Sequence, residues 1–398
     1  MTDEVFTGNF TQQEPIDEAA IAVAVAVLRS GRLHRYNVAA GEIGETAALE
    51  LEFAAFTGAR YCLAVASGGY AMGCALRAAG VGPGDRVLTN AFTLAPVPGA
   101  IAALGAEPVF VEVTEDLVID LQDLEAKAKT AGARVLLLSH MRGHICDMDR
   151  LMEIATAAGL LVIEDCAHTM GASWRGVASG RHGAVGCYST QTYKHMNSGE
   201  GGLIVSDDPV LMAKMILLSG SYMLYPRHAA APPAEVFETL KYDTPNVSGR
   251  MDNLRAAILR PQIPTLPDRI FRWNGLYRAL EAGLSATPGL RVIDRPQAEA
   301  FVGSSFQFLL PGWAGDRILA LVTTCAARGV ELKWFGAAEP VAFTSRHQSW
   351  RYVPAQPLPR TDAVLGGLLD LRLPLTFSEA DAALIARIVD EEVRRAQP

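Results

Sequence analysis

The chain has 398 residues, half of them apolar and a fifth charged, with a net charge of −8. That composition excludes a disordered protein, and the acid excess gives no footprint for a nucleic-acid or anionic-membrane partner. The length exceeds one ordinary core and predicts a large domain over residues 1–260 and a smaller one over 261–398.

The opening stretch "MTDEVFTGNFTQQEP" is acidic and polar, unlike a signal peptide. "EAAIAVAVAVLRSG" predicts a helix too short to span a bilayer. The six cysteines (62, 74, 146, 166, 187 and 325) show no CxxC pair or metal spacing, and several lie in apolar runs such as "YCLAVA". They read as small core hydrophobes in a soluble, reduced, cytoplasmic setting.

From about residue 60 to 210, short apolar runs alternate with helical patterns. "RYCLAVA", "RVLTNAF", "EPVFVEV", "RVLLLSH", "LLVIEDCAH", "GAVGCYST" and "GGLIVSD" are strand candidates. "YAMGCALRAAG" and "DMDRLMEIATAAG" read as helices between them. Continuous apolar strands separated by helices predict an α/β fold with a mostly parallel sheet covered on both faces. In such sheets ligands sit beyond the carboxyl ends of the strands. The proline-rich "PRHAAAPPAEVFETLKYDTPNVSG" predicts a functional loop or flap. Helices follow in "RMDNLRAAILRPQ" and "RWNGLYRALEAGL". "FQFLLP", "DRILALVTTCAARG" and "ALIARIVDEEVRR" then outline a C-terminal α/β unit.

The unusual residues cluster at the predicted strand ends. "VIEDCAH" leaves the acid pair Glu164-Asp165 at the ligand-facing edge, although such carboxylates commonly cap the next helix. "YSTQTYKHMNSGEGG" sets Lys194 among aromatic and small residues, where a lysine is rare. "ASGGYAM" places Ser67, Gly68 and Gly69 between a strand and a helix, suited to hold a phosphate on backbone amides. Ser189 is either a second phosphate ligand or a satisfied strand-end hydroxyl. Lysine, carboxylate and an anion-binding glycine turn in one crevice match the needs of pyridoxal phosphate (PLP) chemistry.

"GRLHRYN", "SGGYAM", "GPGDRVLTNAFT", "GAEPVFVEV", "VIEDCAHTMGA", "GAVGCYSTQTYKHMNSGEGG" and "RMDNLRAA" follow one another as in the DegT/DnrJ/StrS family. The resemblance covers roughly residues 25–260. It includes a Ser-x4-Lys-x4-Gly-Glu-Gly-Gly pattern met by Ser189, Lys194, Gly199, Glu200, Gly201 and Gly202. It implies the aspartate-aminotransferase-like fold (PLP fold type I) and a PLP-dependent aminotransferase moving an amino group from glutamate or glutamine to a keto-sugar or related ketone or aldehyde. Lys194 resembles the Schiff-base lysine and Asp165 the partner of the pyridinium nitrogen. His168 resembles the residue near the ring hydroxyl, and Phe92 the aromatic residue stacked on the ring. Gly68, Gly69 and Ser189 resemble the phosphate cradle. The family's asparagine that reaches the neighbouring subunit's phosphate matches Asn246, or else Ser248 takes its place. A homodimer with shared active sites is therefore implied.

Gly69 departs from the family's usual Thr or Ser. Arg250 matches a motif arginine but is expected in a structural salt bridge. His140 and His144, bracketing an arginine, lack a third metal ligand at sensible spacing. Cys166 is expected to pack. Lys333, Trp334, Arg346 and His347 form a mixed loop that could face the substrate. Three rival readings differ in what they require. A sugar dehydratase of the same fold replaces the lysine with histidine. A non-catalytic PLP-fold regulator loses part of the site. A dinucleotide oxidoreductase needs the GxGxxG spacing that "SGGYAMG" lacks.

Overall fold

The seven apolar runs become seven five-residue strands of one sheet, in a computed structural model that describes residues 4–39 and 41–397. They are β1 (Tyr61–Val65), β2 (Arg86–Asn90), β3 (Glu107–Val111), β4 (Val135–Ser139), β5 (Leu161–Asp165), Val185–Ser189 and Gly202–Ser206. Leu63, Val65, Ile163 and Cys187 pack on one face, and Cys62, Ala64, Val162 and Tyr188 on the other. Burial on both faces is why runs, not alternation, mark these strands. The spatial order is β1, Gly202–Ser206, Val185–Ser189, β5, β4, β2, β3. Pairing is parallel from Val185–Ser189 through β5, β4 and β2 to β3. Only Gly202–Ser206 runs backwards, between β1 and Val185–Ser189. That reversal puts Gly202 opposite Val65 and Ser189, at the edge where its neighbours end. The carboxyl ends of the strands and one amino end thus meet on one rim.

Helices follow several strands with side-chain caps. Ser67 accepts from Tyr70 N, Asp147 from Arg150 N, and Asp208 from Val210 N and Leu211 N. Each cap is worth about 1 kcal/mol. A second, antiparallel sheet has the order Arg291–Val292, Ser305–Leu309, Leu368–Arg372, Lys333–Trp334. The helices Leu266–Leu284 and Glu379–Arg395 pack together beside it. The N-terminal residues, which a division at 260 assigns to the larger unit, lie on the smaller one. There Phe6 and Phe10 meet Phe377 edge-on at 5.0 Å each.

The proline-rich stretch carries structure of its own. A 3-10 turn spans Tyr222–Arg227 and a short helix spans Ala234–Glu238. Tyr225 stacks on Phe237 at 4.3 Å, and His228 is buried against Arg35, Tyr36 and Glu50. Among the described residues no helix is long and apolar enough to cross a membrane.

Candidate active site

A cavity of about 440 Å³ opens at the rim where the strands end. The pleat decides which acid reaches it. Asp165 and Ser139, the last residues of β5 and β4, are register partners. Asp165 Oδ2 accepts from Ser139 Oγ at 3.0 Å and Oδ1 from Ala167 N at 3.1 Å. Thr93 Oγ1 donates in turn to Ser139 Oγ. Asp165 lines the cavity. Burial pushes its carboxyl up, and the Lys194 charge only partly opposes this.

Glu164 points to the opposite face, so the expected acid pair does not form. Its oxygens accept from the backbone N–H groups of Gly180, His182 and Gly183 at 2.7–2.9 Å. His140 Nε2 lies 3.0 Å away. Burial works against its charge, yet the His140 bond and these amides hold its carboxyl below the usual range. Glu164, His140 and Cys166 lie close enough to suggest a metal trio. A carboxylate already accepting four donors has no lone pair to spare, so the trio is structural.

Lys194 sits on a loop that closes on itself. Thr190 N and Thr192 N bond to Gly201 O and Gly199 O, and Ser198 N bonds to Thr190 O. Its Nζ lies 2.8 Å from His168 Nε2. His168 Nδ1 accepts the Arg142 N–H at 3.3 Å. Burial, together with the Lys194 and Arg142 charges, holds that imidazole well below its usual value. The neutral ring's proton therefore belongs on Nε2, aimed at the lone pair of the lysine amine. Burial lowers the Lys194 ammonium to about 7; Asp165 resists, while Arg142 and Arg372 assist. A lysine that sheds its proton near neutrality is a nucleophile in waiting.

Ser67, Gly68, Gly69 and Ser189 gather at one end of the cavity. The first amides of the helix Gly68–Ala78 have no intrahelical acceptor. The Tyr70 amide is spent on Ser67 Oγ at 3.1 Å, which leaves the Ser67 proton free to donate. A Cβ on Gly68 would sit 2.8 Å from Ser189 Cβ, and one on Gly202 2.4 Å from Ser67 O. Glycine is required at both by close approach. At Gly69 the nearest atoms stand off at 3.9 Å, so the Thr or Ser it replaces would fit.

Two expected residues are not brought in. Phe92 is 1% exposed and packs edge-on against Phe335 at 5.2 Å, away from the cavity. Asn90 Nδ2 donates to Phe92 O and pins this turn inward; Leu94, two residues on, lines the cavity instead. Asn246 is exposed and accepts from Ser248 N at 3.1 Å, outside the chain's own cavity. Arg250 is structural, but it holds Gly220 O and Ser248 Oγ rather than a carboxylate. Of the mixed region, Ala342, Phe343 and Ser345 line the cavity, whereas Lys333, Trp334, Arg346 and His347 do not, and His347 pairs with Asp362. Sequence reasoning missed Arg142, Arg372 and Tyr193, which also line it. The only sign of Arg142 was its place between two histidines.

Residues 15–390 match the DegT/DnrJ/EryC1/StrS aminotransferase family. The chain belongs to that family. Its members depend on PLP, and the lysine, the underpaired buried carboxylate and the glycine cradle fit that cofactor. The chain is 35% identical to dTDP-3-amino-3,4,6-trideoxy-alpha-D-glucose transaminase of Streptomyces venezuelae, over 62% of each chain. It is 32% identical to L-glutamine:2-deoxy-scyllo-inosose aminotransferase of Streptomyces kanamyceticus, over 67% of this chain and 61% of that protein. The match thus spans about three fifths of these relatives' length. The crystal structure of 3-amino-5-hydroxybenzoic acid synthase superposes with a TM-score of 0.83 at 26% identity, over 99% of this chain and 100% of that one.

Proposed function

We propose that this family member is a PLP-dependent aminotransferase that takes an amino group from glutamate or glutamine and delivers it to a keto-sugar or a related cyclic ketone. The observation that carries the reading is Lys194. It is an amine brought near neutrality by burial, fixed at 2.8 Å from His168, in a cavity whose wall holds the underpaired Asp165. Bound PLP supplies a cationic ring that takes up the electron pair left when an amino acid loses its Cα proton.

The chain's own residues do the rest. Ser67, Gly68, Gly69 and Ser189 would hold the phosphate on hydroxyls and helix-start amides. Asp165, kept in place by Ser139 and Ala167 N, would pair with the protonated ring nitrogen and so gain the charge partner it lacks. Lys194 would bind the cofactor's carbonyl carbon. Once displaced by the donor's amine, its Nζ would take the Cα proton and return it, as base and then acid. His168 Nε2–H orients that amine. A lysine at this position favours transamination over the dehydratase, and the retained lysine and acid disfavour the regulator. The relatives named for an amino-sugar nucleotide and for an inosose support the substrate class.

The same proposal includes a cytoplasmic homodimer with shared sites. Ile21 and Leu28 on the helix Glu18–Ser30, Leu51 on the helix Glu45–Thr57, Tyr222 and Met223 just before the proline-rich stretch and Tyr242 within it are exposed apolar residues that such an interface would cover. The test is a purified sample read in the visible. The cofactor band should bleach with glutamate or glutamine and recover with a keto-sugar or inosose. A colourless protein that takes up no PLP would refute the reading.

A further inference from the structure

Between the strand Lys333–Trp334 and the helix Pro359–Gly366 runs a long connection, residues 335–358, that carries the 3-10 turn His347–Ser349. Connections of this length inside a compact unit are commonly functional. This one is strapped to the larger unit. Gln356 bonds both ways to the edge strand β3, Oε1 accepting from Phe110 N and Nε2 donating to Pro108 O, each at 2.8 Å. Trp350 packs on Phe110 with ring centroids 5.7 Å apart, and Tyr352 Oη donates to Ala95 O at 3.3 Å. These anchors bring the turn Val341–Thr344 to the cavity, which Ala342, Phe343 and Ser345 line.

The turn holds a strained shape. Val341 and Thr344 are bridged, with Thr344 N and Oγ1 both donating to Val341 O at 3.0 and 2.6 Å. Ala342 sits in the left-handed region at φ 51°, which alanine adopts when its surroundings impose it. The outcome is a phenyl ring displayed at the cavity mouth. Phe343 is 51% exposed, whereas Asp165 in the same cavity is 8% exposed. Tyr193, next to Lys194, meets Phe343 edge-on with centroids 6.3 Å apart, and the Arg372 guanidinium 3.7 Å from the Tyr193 centroid holds that ring in turn. Leu94, Ala95, Pro96 and Val97 continue the apolar lining. Gln191 supplies a polar complement. Its Oε1 accepts from Tyr193 N at 3.0 Å, which leaves its NH2 group for a hydroxyl in the cavity.

We propose that Phe343 is a specificity-determining residue, the platform on which the C–H face of a cyclic keto acceptor stacks; the proposal rests on the aminotransferase reading above. A saturated ring with hydroxyls around its edge has an apolar face of weakly positive C–H groups, which suits the negative face of a phenyl ring. The edge hydroxyls are left for groups such as the Gln191 NH2. An open-chain keto acid offers no such face. Phe343 thus selects which acceptor binds and takes no part in the proton transfer at Lys194.

The test starts from holoprotein whose visible band has been bleached by the amino donor. Recovery is followed with scyllo-inosose, a free 3-keto-hexose and a nucleotide-linked keto-hexose, and with the donor's own keto acid as the open-chain control. Phe343→Ala should raise the concentration of the best cyclic ketone needed for half-maximal recovery about tenfold. The rate at saturation should stay within about twofold of native, as should the response to the keto acid. Phe343→Trp should restore the affinity, and Phe343→Leu should restore part of it. Equal loss for the cyclic ketone and the keto acid, or no loss for either, overturns the platform. So does a Phe343→Ala protein that sediments as a smaller oligomer than native, since the ring would then be a subunit contact. Native protein that the keto acid recovers but no cyclic ketone does also overturns it. Those outcomes leave the cofactor reading standing, whereas a native protein with no visible band sinks that reading first.

Discussion

At the end of β5 two carboxylates stand one residue apart, and the pleat sends them into different worlds. On one face Glu164 is saturated by three backbone amides and His140, and its carboxyl is held low. On the other face Asp165 has two hydrogen bonds, a raised carboxyl and an open cavity before it. A buried acid with every lone pair spent can only hold structure together. A buried acid with unmet demand is placed to meet a cation that arrives from outside.

The sharpest way to break that comparison is to neutralise each acid in turn. Asp165→Asn should lower kcat on the order of 10³-fold while the melting temperature stays within a few degrees of the native value. Glu164→Gln should do the reverse. Its amide group turns donors against amide N–H, which costs about 2–3 kcal/mol of stability, and kcat per folded molecule should stay close to native. Equal kinetic damage from both, read by steady-state assay and thermal melts, would dissolve the distinction.

A smaller effect appears in the pH dependence of cofactor uptake by the apoprotein. A lysine lowered to about 7 is protonated and unreactive below that pH and neutral above it. The rate of appearance of the visible band should rise about tenfold per unit up to pH 7 and then level off. A rate still climbing at pH 9 would mean that Lys194 has an ordinary ammonium.

The two neighbouring glycines offer a third contrast. Gly68→Ala pushes Ser189 from its place and should weaken PLP binding about tenfold, whereas Gly69→Ser has room and should bind PLP at least as well as native. Titration of the apoprotein with PLP distinguishes them. The smallest change is expected from Ser139→Ala, which removes one hydrogen bond to Asp165. It should reduce kcat about fivefold.

Much of this architecture was legible because strands buried on both faces announce themselves as apolar runs, and all seven became strands of the large sheet. Lys194, Asp165 and the Ser67–Gly69 turn stood out at predicted strand ends, His168 was named only through the family resemblance, and all of them line one cavity. Other positions depend on which way a side chain turns, which spacing does not encode. Phe92 and Leu94 compete for the cavity, and a side-chain bond from Asn90 settles it. Glu164 and Asp165 are equivalent in composition, and only the pleat separates them. Arg372 reaches the cavity from the second sheet, nearly two hundred residues after Lys194, so no local pattern links them.

The central claim is a covalent one, and reduction with borohydride tests it directly. Holoprotein so treated should yield, after proteolysis and mass spectrometry, one peptide bearing the reduced cofactor on Lys194. A cofactor fixed to any other lysine, or an active preparation with no labelled peptide, would contradict the account.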